Sequence, residues 1–251
     1  MDKILKVALF FNNYRGLKTL NFLNKKKNLK IKYIFLAKKN LNKKIILDLK
    51  SRNIKFFIIK NVNDYKILKK IKNNQTDLNI LCGFPYILNK EMIYSAKKGT
   101  INLHGGMLPK YRGGSPLNWQ IINGEKFVGI SIVKISEGID TGEIISEKKF
   151  KLKNTFNIKK VHDIANKLFP PLTYNAIQKL LKKKNFKKIN LKISKYYRQR
   201  KQNDGKINWK VMSSKQVYNL IRACSKPYPG AFTFNSKDKK IIIFDSVLTN
   251  I

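Results

Sequence analysis

At 251 residues the chain can bury one full core and a modest second unit, but not two large domains. Its 54 Lys and Arg against 14 Asp and Glu give a formal charge of +40, an excess that counterion release on a phosphate backbone would reward. The lysines are spread along the chain, however, at Lys25 to Lys27, Lys38 and Lys39, Lys69 and Lys70, and Lys182 to Lys184, beside abundant Asn, Ile and Phe. That evenness favours solvated faces and compositional bias over a nucleic-acid surface, and leaves a phosphorylated substrate compatible. Cys82 and Cys224 match no metal or redox spacing, there is no cleavage pattern near the N-terminus, and no uninterrupted apolar stretch reaches roughly 18 residues. Reduced thiols, no metal, no membrane span and a cytoplasmic setting are the expectation.

Ile4 to Phe11 is a continuous apolar run, read as a strand; Asn12 to Gly16 turns, and Leu17 to Leu23 has helical spacing. Ile31 to Leu36 is the next strand, Lys44 to Ser51 a helix, Lys55 to Ile59 extended, Asp64 to Lys72 helical, Asp77 to Cys82 a buried strand and Leu88 to Ala96 helical. Thr100 to Leu103 follows as a strand. This alternation predicts an α/β fold with a mainly parallel sheet, helices on both faces and a ligand site outside the carboxyl ends of the strands. The Gly- and Pro-rich loop Gly105 to Pro116 leads into a helix at Leu117 to Ile122. Val128 to Ile135 and Glu143 to Ser146 then form a β-ribbon whose turn carries Asp140. Ile158 to Lys184 is helical, with a kink or a new start at Pro170-Pro171. Tyr196 to Asn203 reads as a polar linker, Ser213 to Ala223 as a helix capped by Ser213, and Gly230 to Phe234 with Ile241 to Asp245 as a short hairpin. The expected division is a catalytic domain over 1–195 and a small helix-and-hairpin unit over 196–251.

Asn102 and His104 lie two apart, so on a strand both side chains leave the same face. The amide can donate to an oxygen becoming negative, the imidazole can take a proton near neutral pH, and Asp140 can orient the ring. Alone, an Asn-x-His at a strand end is more often a turn-forming amide and a satisfied histidine; the Gly-rich loop and the Asp140-Thr141-Gly142 triplet shift that balance. His162, within a helical pattern, and Cys82, ending a buried strand, read as structural. Gly105, Gly106, Gly113 and Gly114 either form turns or allow close backbone approach to a flat cofactor.

The ordered run Asn102-Leu103-His104-Gly105-Gly106-Met107-Leu108-Pro109-Lys110-Tyr111-Arg112-Gly113-Gly114-Ser115-Pro116-Leu117-Asn118-Trp119, with Gly138-Ile139-Asp140-Thr141-Gly142, resembles the folate-dependent formyltransferase family. The resemblance extends to Asp204-Gly205-x-Ile207-x-Trp209 and to Pro227-Tyr228-Pro229-Gly230-Ala231-Phe232, a pattern similar to the sugar-nucleotide members. It implies a Rossmann-like formyltransferase domain with a smaller C-terminal unit and N10-formyltetrahydrofolate as co-substrate. It also implies Asn102, His104 and Asp140 as the catalytic set. Phe84, Tyr86, Ile87 and Leu88 would border the pterin, and the loop of Ser136, Glu137, Gly138, Ile139 and Asp140 would close over it. Gly114 stands where some relatives carry arginine.

Three acceptors compete under that resemblance: a nucleotide-linked amino sugar, the methionine of charged initiator tRNA, and glycinamide ribotide. The tRNA members begin with a Gly-Thr-Pro-x-Phe loop, carry a long basic insertion after the second strand and end in an OB-type barrel. Here the first loop is Phe10 to Tyr14, the second connection is the short Ala37 to Lys43, and few residues follow Phe234. The reading is an N-formyltransferase acting on a nucleotide-linked amino sugar, with methionyl-tRNA formyltransferase as the alternative and a homodimer formed through the C-terminal unit.

Overall fold

The computed structural model describes residues 4–182 and 185–249. Strand β1 (Leu5–Phe11) is buried at every position but Lys6, as a strand covered on both faces must be. Asn13 then caps helix α1 (Tyr14–Leu23) by accepting from the Gly16 N–H at 3.3 Å, so the helix starts three residues before the expected Leu17. The buried Asn12 ties the strand end down: it donates to the carbonyls of Ala37 and Lys39 and accepts from the Ala37 N–H. Strand β2 (Leu29–Ala37), helix α2 (Lys43–Ser51, capped by Asn42), strand β3 (Phe57–Ile59), helix α3 (Tyr65–Asn73, capped by Asp64) and strand β4 (Leu78–Cys82) follow.

The helix expected over Leu88 to Ala96 shrinks to a single turn, α4 (Lys90–Ile93). Ser95 donates its hydroxyl to the Met92 carbonyl, competing with helical bonding, and Gly99 at φ +76° turns the chain into β5 (Thr100–His104). Next come β6 (Arg112–Gly113), α5 (Pro116–Ile122), β7 (Phe127–Lys134) and β8 (Glu143–Lys151). β8 outruns the expected Ser146, because its last five residues are mostly exposed and, apart from Phe150, charged, so they carry little apolar signal. Helix α6 (Ile158–Leu181) runs through Pro170 and Pro171 as one element, so no new helix starts there. The fully buried Phe169, Thr173, Ala176 and Ile177 hold it in register, against a proline cost of about 3 kcal/mol in a free helix. The expected end at Lys184 lies outside the described residues.

Strand β9 (Lys187–Lys188) and strand β10 (Tyr196–Tyr197) come next. The segment read as a linker is therefore structured: β10 pairs in parallel with β6, and Gln202–Gly205 forms a 3-10 turn. Its polar composition hides Tyr197, whose ring stacks on Tyr111 at 5.0 Å and whose hydroxyl accepts from the Asn123 amide. The same pairing explains Gly114, where a Cβ would come within 2.5 Å of the Gln199 Cα. Helix α7 (Ser214–Cys224) carries the anticipated Ser213 cap, completed as a capping box by Gln216. β11 (Ala231–Phe234) and β12 (Lys240–Ile243) form the antiparallel hairpin.

Among the described residues, eight strands make one sheet in the order β3-β2-β1-β4-β5-β7-β8-β9. In that order β3 through β5 are parallel and β7 joins β5 antiparallel, giving the expected α/β, Rossmann-like architecture with a mainly parallel sheet. The described chain divides into two compact units interleaved in sequence. The first comprises Met1–His104, Ser131–Lys148 and Asn166–Ile189, with a core around Phe10, Phe35, Ile71 and Met92. The second comprises Gly105–Ile130, Lys149–Ala165 and Asn190–Ile251, with a core around Ile207, Leu220 and Ile221. Among the described residues no helix is long and apolar enough to cross a membrane.

Candidate active site

β5 ends at the carboxyl edge of the parallel strands, and its two-residue period sends Asn102 and His104 to one face. Asp140 comes from the turn joining β7 to β8, where it adopts the left-handed φ of +49°. That turn is tightly packed. Gly142 passes so close to the Lys134 carbonyl that a Cβ would come within 1.8 Å of its oxygen. The hydroxyls of Ser136 and Thr141 are 2.9 Å apart, and Thr141 donates to the Glu137 carbonyl at 3.3 Å. Asp140 Oδ2 lies 3.3 Å from His104 Nδ1, and Asp140 Oδ1 accepts from Asn102 Nδ2 at 3.5 Å. The three groups singled out in the sequence are brought together, with the imidazole and the carboxylate only 4% and 11% exposed.

Chemically, a carboxylate beside Nδ1 orients the imidazole, the arrangement a histidine base requires. The Asn102 bond to Asp140 is at the long limit for a hydrogen bond, so the amide remains able to donate elsewhere.

Beside this cluster opens a cavity of about 380 Å3. Phe84, Tyr86, Ile87 and Leu88 line one side, and Ser136, Glu137, Gly138 and Ile139 the other, with Asn102 and Asp140 in the wall. His104 is not a lining residue and meets the site through Asp140. Leu81, Ile93 and Val133 make the interior apolar. Phe84 is braced edge-on by Phe10 and Tyr86, and the Tyr86 hydroxyl is spent on the Lys39 N–H and the Ile59 carbonyl. An apolar interior with polar and charged groups around it suits an organic ligand that carries a few hydrogen-bonding groups.

Sequence reasoning missed two contributors. Lys90 lines the cavity and pairs with Glu137 at 3.0 Å; the hydrogen bond it donates to the Glu137 carboxylate pushes the Lys90 ammonium above its ordinary range. Arg15, in the first turn of α1, donates to the carbonyl of Leu103, the residue between Asn102 and His104, and lies 4.3 Å over the Phe169 ring. Neither partnership has a local sequence signal, since each spans dozens of residues. Cys82 is fully buried at the end of β4, and burial pushes its thiol up to about 12, the property of a core residue rather than a nucleophile. Among the described residues no group of three or more His, Cys, Asp or Glu is placed to hold a metal ion.

Residues 22–171 match the formyl transferase family model, and residues 200–250 match that of the formyl transferase C-terminal domain. The chain belongs to the formyl transferase family. It is 35% identical over 207 residues to the bifunctional polymyxin resistance protein ArnA of Wigglesworthia glossinidia brevipalpis, covering 79% of this chain and 30% of that protein. It is 34% identical over 189 residues to the methionyl-tRNA formyltransferase of Thermodesulfovibrio yellowstonii, covering 75% and 61% respectively. The chain thus spans less than two thirds of the length of these relatives. Its fold is similar to a sugar N-formyltransferase from Shewanella sp FDAARGOS_354, with a TM-score of 0.77 at 20% identity over 98% of this chain and 100% of the other. It is also similar to the N-formyltransferase of Helicobacter canadensis, solved with folinic acid and dTDP-3-aminofucose (TM-score 0.68, 20% identity, 87% and 80% covered). At these identities the two structures establish a shared fold.

Proposed function

We propose that this formyl transferase moves a formyl group from N10-formyltetrahydrofolate onto the amine of a nucleotide-linked amino sugar. The observation that carries the chemistry is the meeting of Asn102, His104 and Asp140 beside a cavity with an apolar interior. When bound, the folate carrier supplies the formyl carbon. His104 Nε2 takes the proton released as the acceptor amine attacks, and Asp140 holds the imidazolium that results. Asn102 donates its amide N–H to the formyl oxygen as negative charge develops there. The same imidazolium is the proton source for the departing nitrogen, so the proton is conserved through the cycle. Phe84, Tyr86, Ile87 and Leu88, with Ser136 to Ile139, hold the carrier's ring and exclude water.

For the acceptor, the support is the short connection between β2 and α2, which leaves no room for the basic insertion of tRNA-acting relatives. The likeness of fold to sugar N-formyltransferases points the same way. Methionyl-tRNA formyl transfer remains the second reading, favoured by the 34% identity to such an enzyme and by the charge of +40. The deciding experiment incubates the protein with the formylated folate and a panel of nucleotide-linked 3-amino and 4-amino sugars, beside charged initiator tRNA. A formamide on a sugar supports the proposal; product on the tRNA alone overturns it.

A further inference from the structure

Arg15 is the second residue of α1, and the first turn of that helix is held against the sheet at two points. Gly16 sits so close to β1 that a Cβ there would come within 2.1 Å of the Phe11 Cβ. Asn13 caps the helix and also donates to the carbonyl of Gly83, the residue after β4, at 3.5 Å. The half-buried Arg15 side chain is thereby set beside the end of β5.

Its guanidinium joins β5 to α6. Nη1 donates to the Leu103 carbonyl at 3.3 Å, Nε donates to Asn166 Oδ1 at 3.4 Å, and Cζ lies 4.3 Å from the centroid of the fully buried Phe169 ring. Asn166 and Phe169 are three apart on α6, so one helix face meets the cation. Both hydrogen bonds are long and neither is worth much by itself. A planar cation lying over an aromatic ring and forked between two oxygens is nevertheless held in one place.

The carbonyl it holds belongs to the peptide between Leu103 and His104. The parallel pairing of β4 with β5 ends where Leu81 meets Asn102, so the last two residues of β5 lie past the final rung on that side. Only β7 continues alongside them, as far as Ser131 opposite His104. A strand end paired on one edge can pivot, and a small rotation there would carry His104 and Asn102 out of line with Asp140. Arg15 supplies the second hold and fixes it to α6. All of these groups lie in the first unit, and Arg15 is not a lining residue of the cavity beside the cluster.

We propose that Arg15 is a positioning residue for formyl transfer: by holding the Leu103 carbonyl it sets the angle at which β5 presents Asn102 and His104 to Asp140. This rests on the reading of those three residues as the catalytic set and is independent of which amine is formylated.

The test uses the full chain labelled with 15N in its histidines, of which there are two, His104 and His162; a His162→Gln sample assigns the ring signals. Arg15→Met keeps an unbranched apolar stem and removes every side-chain donor, while Arg15→Lys keeps a cation without the fork. Transfer is measured from N10-formyltetrahydrofolate to whichever of the nucleotide-linked amino sugars or charged initiator tRNA proves to be the acceptor, and carrier binding with folinic acid. In Arg15→Met, kcat falls on the order of 10^2-fold, the loss that a displacement of about 1 Å produces at a catalytic group. Folinic acid affinity and the acceptor KM stay within about twofold, and the His104 ring signals move. Arg15→Lys moves the same signals less and recovers part of kcat. A kcat within about twofold of wild type in Arg15→Met overturns the proposal. So does a lowered melting temperature or kcat with the His104 signals unmoved, which would make Arg15 a brace between α1 and α6 alone. Should Arg15→Met not fold, Arg15→Lys carries the test, and unmoved signals with unchanged kcat overturn the proposal. A His104→Ala enzyme with its kcat intact would remove the catalytic reading underneath; His104 signals that still move in Arg15→Met would place the failure in that reading and not in the Arg15 contact.

Discussion

Asp140 Oδ2 stands 3.3 Å from Nδ1 of His104, and both side chains are nearly closed off from solvent. A carboxylate held that close to Nδ1 keeps the ring oriented for proton transfer. Asp140→Asn keeps the shape and removes the charge, and His104→Ala removes the base. Each is expected to lower kcat by roughly 10^2 to 10^4-fold, with a much smaller effect on KM for the folate, as befits groups used in the transition state. Steady-state kinetics decide the matter: a kcat within about twofold of wild type in either variant sinks the assignment.

Asn102 is expected to act differently, through an oxygen rather than a proton. Asn102→Ala should cost roughly 10^2 to 10^3-fold in kcat, about 2.7–4 kcal/mol, the size measured when a single oxyanion donor is deleted. Its long bond to Asp140 contributes little to folding, so the melting temperature should move by no more than about 2 °C. A large fall in thermal stability with kcat unchanged would make Asn102 a structural brace.

The parallel core was legible because its signal is local. β1 and β4 are apolar runs broken only by Lys6 and Asn79, and Asn13, Asn42, Asp64 and Ser213 sit where helix caps belong. The candidate cluster was legible for two reasons: residues two apart on a strand share a face, and the resemblance of the surrounding motifs to a known family linked them to Asp140 in the ribbon turn. What stayed hidden was settled by distant partners. The linker segment became β10 because Tyr111 and Asn123 bind Tyr197 across more than 70 residues. The two prolines of α6 were absorbed because surrounding packing outweighs propensity. Arg15 and Asn166 read as ordinary helix residues until the chain closes around them.

Glu125 predicts a pH effect on stability. Burial alone would raise its carboxyl, but hydrogen bonds from Lys110 and Tyr111 outweigh that and hold it below the ordinary carboxylate range. A group depressed in the folded state contributes stability above its unfolded value, and that contribution is lost as pH falls through the folded value. Glu125→Gln should therefore lower the melting temperature at neutral pH, and the gap to wild type should narrow below about pH 4. Melting curves from pH 7 down to pH 3 check this. A constant gap across the range contradicts the ion pair's role.

The two thiols should be inert in the native state. Burial raises both, Cys82 to about 12, and both are buried. At pH 8 the thiolate is the reactive form and is scarce in each. Treatment of the folded protein with iodoacetamide, followed by mass analysis, should find both residues largely unmodified, and treatment after unfolding should find both alkylated. Rapid native modification of Cys82 would mean that β4 opens far more readily than its complete burial implies.

Gly142 separates the geometry of the Asp140 turn from its chemistry. An added Cβ would meet the Lys134 carbonyl oxygen at 1.8 Å, a contact no rotamer can relieve because the obstruction is backbone. Gly142→Ala must therefore push β8 away from the end of β7, at a cost of about 1–3 kcal/mol. The turn that sets Asp140 at φ +49° shifts with it. Even a displacement of about 1 Å at a catalytic group costs on the order of 10^2-fold in rate. The expected outcome is a variant that folds with a lowered melting temperature and loses kcat much as Asp140→Asn does, although every side chain of the cluster is intact. Combining the two substitutions tests the coupling. If both act through the Asp140 contact with His104, the double variant should be little slower than the slower single one; full multiplication of the two losses would mean that Gly142 serves the reaction by another route.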